Sequence, residues 1–232
     1  MRGLFVTATD TGVGKTVLSA ALLAAMAAEG RTVRAYKPVV TGLEDTAEIA
    51  ARGAWPPDHE LLAAIAGMQP EDVSPLRYGP AVSPHLAAQM AGERIDPERL
   101  VAGAHALAPT DAHTLVVEGV GGLLAPLAVD YTVCDLASAL GLPVVIAARP
   151  GLGTINHTLL TLACARAAGL DVVAVVLTPW PARPTAMQSS NRSTIARLGQ
   201  VAVETLSWVA NPSGAELAQA GAGLMGAFGL QA

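Results

Sequence analysis

The chain has 232 residues, 52% hydrophobic and 14% charged, with a net charge of −5 spread over both signs. That is enough chain for one substantial core and too little for two, and without a basic block there is no electrostatic footprint for nucleic acid. The apolar runs are broken by Ser19, Glu29, Glu118 and glycines before they reach the roughly 18 residues a membrane-spanning helix needs.

Asp10 and Lys15 stand where a secretion signal would be apolar, so export is not expected. Cys134 and Cys164 lie in apolar surroundings without metal-ligand spacing and read as buried thiols. One domain over residues 1–232, cytoplasmic, with small-molecule partners, no nucleic acid and no membrane, is the expectation.

Gly3 to Ala8 predicts a short apolar strand, and Thr16 to Ala28 an Ala- and Leu-rich helix that Gly30 stops. Thr32 to Tyr36 alternates as a second strand, left through Pro38 and Gly42. From Glu44 to Pro84 the sequence reads as loop around one helical piece, Glu60 to Ala66. Helices follow over Pro97 to Leu107, Thr132 to Leu140 and Thr154 to Ala168, and strands over Leu115 to Glu118, Pro143 to Ala148 and Asp171 to Leu177. The segment Ser189 to Ser193 reads as a helix start, and the Ala- and Gly-rich tail from Gly214 as loosely packed. Apolar strands alternating with helices imply right-handed crossovers, hence an α/β three-layer fold whose mostly parallel sheet is covered by helices on both faces. Ligands bind such sheets at the carboxyl ends of the strands, so the residues that follow each strand carry the chemistry.

After the first strand stands "TATDTGVGKT". Gly12 and Gly14 let backbone N–H groups curl around phosphate oxygens, Lys15 reaches the terminal phosphates, and the Thr16 hydroxyl suits a magnesium ion. Thr9 replaces the usual first glycine, but the strand-to-helix context fits a phosphate loop. Partitioning-type switch ATPases, the alternative reading, carry a lysine where this chain has Asp10, an anion that cannot neutralise phosphate in trans.

After the second strand, Lys37 and the Thr41 hydroxyl point toward those phosphates, although the segment alone fits a surface lysine beside a turn equally. Glu118, ending "LVVE", is a carboxylate that needs a partner or a metal and is assigned to magnesium. A nucleotide-bound magnesium takes few protein oxygens, and spacing alone does not select Asp58 over Asp45 or Glu60 as the second carboxylate. Thr154 reads as an N-cap, and His157 as a hydrogen-bonded structural residue.

In this order and spacing, T-x-T-D-T-G-V-G-K-T, K-P-V-x-T-G, S-P-H, V-E-G-x-G-G and G-x-I-N-H-T resemble the dethiobiotin synthetase family, from about Phe5 to Leu170 and more weakly to Pro212. The resemblance implies a P-loop ATPase fold, a homodimer, and ATP-dependent ring closure on 7,8-diaminononanoate with CO2 or bicarbonate, a carbon–nitrogen ligase reaction through a carbamate and a phosphorylated carbamate. It implies Mg2+ on Thr16, Asp58 and Glu118. It places Lys37, Lys15 and Thr11 in catalysis, and Gly12, Val13, Gly14, Lys15, Thr16, Val17 and Thr178 on the nucleoside triphosphate, ATP. Thr11, Lys37, Thr41, Glu118, Gly119, Gly121 and Gly122 would face the diamine and its carbamate, and Asn156 the substrate of the neighbouring subunit. At the strand end that reads the purine the family often carries Asn-Asp, where this chain has Thr178-Pro179-Trp180; the base is therefore the open part of the reading.

Overall fold

The computed structural model describes residues 1–47, 50, 53 and 55–228. Six strands form its central sheet: β1 (Arg2–Ala8), β2 (Thr32–Tyr36), β5 (His113–Glu118), β8 (Val144–Ala148), β9 (Val172–Trp180) and β10 (Val203–Ser207), in the order β10-β9-β8-β1-β5-β2. All the pairings are parallel. Two small two-stranded sheets lie outside it: β3 (Val39–Val40) with β4 (Leu76–Arg77), and β6 (Pro126–Ala128) with β7 (Tyr131–Thr132).

The strands sort their side chains between two cores with a period of two, as the pleat requires. Leu4, Val6 and Ala8 of β1, Val116 of β5, Val145 of β8 and Val176 of β9 enter one core. Phe5, Leu115, Val117, Ile146 and Val175, their alternates, enter the other. Burial on both faces explains the unbroken apolar runs in the sequence. The first core is closed by α1 (Lys15–Ala28), α2 (Asp58–Ala66) and α9 (Gly214–Met225), through Leu18, Leu22, Leu62, Leu217 and Leu224. The second is closed by α5 (Pro97–Leu107), α6 (Val133–Leu140), α7 (Thr154–Ala167) and α8 (Ala186–Gly199), through Leu100, Leu136, Leu162 and Ile195. The three-layer α/β expectation holds.

Several expectations need correction. The tail from Gly214 is not loosely packed over α9, which lies against α1 so closely that a Cβ on Gly221 would stand 2.2 Å from the Ala21 carbonyl oxygen; residues 229–232 of that tail lie outside the described residues. Small residues there are the condition of contact. Residues 189–193 do not start a helix, because Thr185 caps α8 in a capping box with Gln188. Thr154 is not an N-cap either. Gly153, at φ 89°, caps α7, and Thr154 is buried inside the first turn. Cys134 is buried as expected but Cys164 is only half-buried. The region from Glu44 to Pro84 holds, besides α2, the short α3 (Pro70–Val73) and β4, and is followed by α4 (Pro84–Met90). Residues 48–49, 51–52 and 54 of that loop-rich reading lie outside the described residues.

Replacing Gly by Ala inside a helix ordinarily stabilises it by roughly 1 kcal/mol. At Gly221 the sign should reverse, with Gly221→Ala losing about 2 kcal/mol in urea unfolding as α9 is pushed off α1. Gly223→Ala, where an added Cβ meets nothing within 4 Å, should keep the ordinary stabilising sign. Equal effects at the two positions would refute the close crossing.

Candidate active site

The site is assembled by strand register. Because β5 lies between β1 and β2, with Val6 opposite Glu118 and Tyr36 opposite Val117, the last residue of β5 and the residue after β2 come out side by side. These are Glu118 and Lys37. The chain leaving β1 forms the loop Thr9–Gly14 and enters α1. Gly12 and Gly14 take φ values of 67° and 100°, conformations that strain any residue with a Cβ.

Gly14 is the N-cap of α1, no side chain caps the helix, and its first turn holds no acidic residue. The free N–H groups and the positive end of the helix dipole therefore face an open anion position. Lys15 lies beneath, 6% exposed, its ammonium donating to the Asp10 carbonyl oxygen at 3.1 Å. Burial, and then the nearby Lys37 ammonium, pull its pKa down to about 8. A phosphate anion in the loop would hold it protonated.

Glu118 is fully buried. Its Oε1 accepts from the Thr16 hydroxyl at 2.8 Å and from Lys37 Nζ at 2.7 Å. Lys37 also forms an ion pair with Asp58, the first residue of α2. Burial alone would depress the Lys37 pKa, but Asp58 and Glu118 together outweigh it and the pKa is raised. The backbone of Lys37 is held in turn: its N–H donates to the Val73 carbonyl at 2.9 Å, and the Ser74 hydroxyl donates to its carbonyl. Thr16, Lys37, Asp58 and Glu118 thus form one linked cluster.

Glu118 Oε2 is buried with no hydrogen-bond partner. Among the described residues no group of three or more His, Cys, Asp or Glu is placed to hold a metal. The donor set is instead one hydroxyl and two carboxylates, with that oxygen still unpartnered, a set that suits magnesium carried in on nucleotide phosphates.

The remaining expected residues divide into two groups. Thr11 is exposed, and a Cβ on Gly121 would lie 3.5 Å from its hydroxyl. Gly122 abuts the Ala8 and Thr9 carbonyls, and Gly119 donates to the Val6 carbonyl at 2.9 Å. The glycine run therefore packs against the base of the loop. Thr178 is buried against Gly14. The Val13 side chain belongs to the core, so any contact of Val13 with a nucleotide is through backbone, and the half-buried Val17 packs on that core. Thr41 is half-buried just before Gly42, whose N–H is held by the Pro80 carbonyl. Asn156 is exposed in the first turn of α7, and no hydrogen bond among the described residues ties it to the Lys37 group.

Arg149 was missed by the sequence reading. Its guanidinium Nη2 donates to the Thr11 carbonyl at 3.1 Å and the Gly12 carbonyl at 3.3 Å. It follows β8 directly, so the rule of inspecting the residue after every strand would have found it. A cavity of about 770 Å³ between α4 and the β6–β7 hairpin, lined by His85, Arg94 and Tyr131, contains none of the loop residues. The buried charges and the uncapped amides lie at the loop instead.

A family model described as an AAA domain matches residues 2–208. The ATP-dependent dethiobiotin synthetase of Anaeromyxobacter dehalogenans (strain 2CP-C) is 42% identical over 200 residues, 85% of this chain and 86% of that protein. The enzyme of the same name from Bacillus subtilis (strain 168) is 35% identical over 201 residues, covering 85% and 83%. Among solved structures, a ParA family ATPase from Chlorobium tepidum TLS superposes with a TM-score of 0.54 at 13% identity, over 97% of this chain and 92% of that one. That likeness is one of fold.

Lys37→Met removes the cation from a fully buried carboxylate. Unfolding in urea at about pH 7 should show a loss of about 3 kcal/mol. A loss below about 1 kcal/mol would contradict the ion-pair account.

Proposed function

The chain belongs to the ATP-dependent dethiobiotin synthetase family, and from that premise we propose that it is the ligase that closes the dethiobiotin ring by forming carbon–nitrogen bonds at the cost of ATP. The observation that carries this reading is the Lys37 ammonium held between Glu118 and Asp58, sharing the Glu118 Oε1 acceptor with the Thr16 hydroxyl beside an uncapped phosphate loop. The whole chain acts as one domain in the cytoplasm.

The reaction is as follows. One amine of 7,8-diaminononanoate adds to CO2, loses a proton and becomes a carbamate. A carbamate oxygen is a poor leaving group, so it takes the terminal phosphoryl of ATP and ADP departs. The second amine then attacks the carbonyl carbon, phosphate leaves with the former carbamate oxygen, and a proton is released as the ring closes. A carbamate and a triphosphate are both anions, and bringing them together requires cations fixed in advance.

Lys15 and the loop amides receive the triphosphate. Lys37, after β2, faces the carbamate and the charge that grows as the phosphoryl moves. Thr11 and the glycines of 119–122 line the diamine side, where the absence of side chains lets the substrate approach the backbone. Thr16, Asp58 and Glu118 would hold magnesium, which supplies charge neutralisation on the phosphates when bound.

Two copies act together. No hydrogen bond among the described residues ties Asn156 to the Lys37 group, and Leu152, 93% exposed just before α7, and the exposed Leu160 within α7 offer apolar side chains suited to a second copy. Asn156 then completes the substrate site of the neighbouring subunit. Thr178, buried against Gly14, lies at the nucleotide side, with ATP as the triphosphate.

Phosphate release should depend on both the diamine and bicarbonate, with dethiobiotin appearing by mass spectrometry in equal amount. ATP hydrolysis at full rate without diamine would sink the assignment. In Lys37→Met, kcat should fall by about 100-fold or more while nucleotide affinity changes by less than about threefold, because the partner charge develops in the transition state. An intact kcat with weakened nucleotide binding would remove Lys37 from the chemistry.

A further inference from the structure

The segment Ser189–Ser193 has no role in the reading above. In the structure its Asn191 lies inside α8, only 6% exposed. Its side-chain Nδ2 donates to two consecutive carbonyls, Pro150 O at 3.0 Å and Gly151 O at 3.1 Å. Asparagine is a poor residue for a helix interior, and its amide is costly to bury without partners. These two bonds supply the partners. Arg192 faces the other way: its Nε donates to the Val203 carbonyl at 3.0 Å and a guanidinium nitrogen lies 3.8 Å from Glu204. Helix α8 is thereby fastened to β10 and in turn fastens the 150–151 turn.

One residue before that turn is Arg149, whose guanidinium holds the Thr11 and Gly12 carbonyls. In a trans peptide the C=O and the following N–H point in opposite directions. Turning those two carbonyls toward Arg149 therefore turns the N–H groups of Gly12 and Val13 to the other side of the loop. A Cβ on Gly12 would lie 3.3 Å from the same guanidinium nitrogen, so the arginine rests directly against the loop.

We propose that Asn191 and Arg149 are a positioning pair for nucleotide binding. Asn191 fixes where the chain leaves β8, and Arg149, placed by that exit, presets the loop amides for a triphosphate. Neither touches the reacting atoms; together they reduce the ordering that binding would otherwise require. The inference rests on the reading of residues 9–16 as a phosphate loop.

The test is calorimetric titration of Mg-ATP into the full chain, without diamine, for wild type, Arg149→Ala, Arg149→Lys, Asn191→Ala and the Asn191→Ala/Arg149→Ala double variant. Loss of either positioning group should weaken binding by about tenfold, and Arg149→Lys, which reaches a single carbonyl, by about threefold. Because both act through one segment, the double variant should bind within about twofold of Arg149→Ala, not the product of the two losses. In turnover, KM for ATP carries the change while kcat stays within about twofold, a split that general destabilisation would not produce. Arg149 is exposed, so its variants answer the question even if Asn191→Ala does not fold. An Arg149→Ala affinity within about twofold of wild type, or losses that multiply in the double variant, would overturn the pair. Wild-type protein that binds no Mg-ATP would overturn the phosphate-loop reading itself.

Discussion

A carboxylate with no exposure to water, at the end of a parallel strand, is tolerated only with a cation against it. Glu118 and Lys37 meet that constraint at 2.7 Å, and the arrangement around them follows. The pairing needs β5 beside β2 in a register that ends both strands together. It needs Lys37 held through its backbone by Val73 and Ser74, and Asp58 presented at the first turn of α2 to balance the second side of the ammonium. The other neighbour of β5 is β1, so the same carboxylate also faces Thr16 at the start of α1. The sheet order is thus what places a phosphate-facing hydroxyl and a buried lysine on one acid.

Most of this was legible because the signals are local. A charged residue ending a Leu/Val run marks Glu118, and glycines between an apolar strand and an Ala-rich helix mark the loop. Asp58 was not legible from spacing: Asp45 and Glu60 were equal candidates until the family pattern chose among them, since the choice is made by the tertiary position of α2. The edge strand β10, "VETLS", was overlooked because an edge strand carries polar residues that erase the apolar run. The tail was misread because Ala and Gly were taken as a lack of packing, whereas α9 uses them to approach the α1 backbone. Arg149 was within reach of the sequence, standing directly after β8, whereas Asn191 acts from inside α8 on two backbone carbonyls that no residue pattern advertises.

The site divides its positive charge by kind. The amides at the start of α1 and the Lys15 ammonium are held open for an anion, with no side chain competing for them. The Lys37 charge is instead already neutralised by two carboxylates. Magnesium brought by a nucleotide would compete with Lys37 for those carboxylates.

Parallel sheets end in two strands with one unpaired edge each, and an open edge invites a strand from another molecule. At β10 the Ala202 carbonyl is turned inward to Val175 N–H, so the Val203 carbonyl points outward, and Arg192 from α8 occupies it. Glu204, next in the strand, adds a charge that an incoming strand would have to strip of water. This part of the edge is thereby made a poor template for strand addition, which leaves contacts with other molecules to side-chain surfaces rather than to the backbone of the sheet.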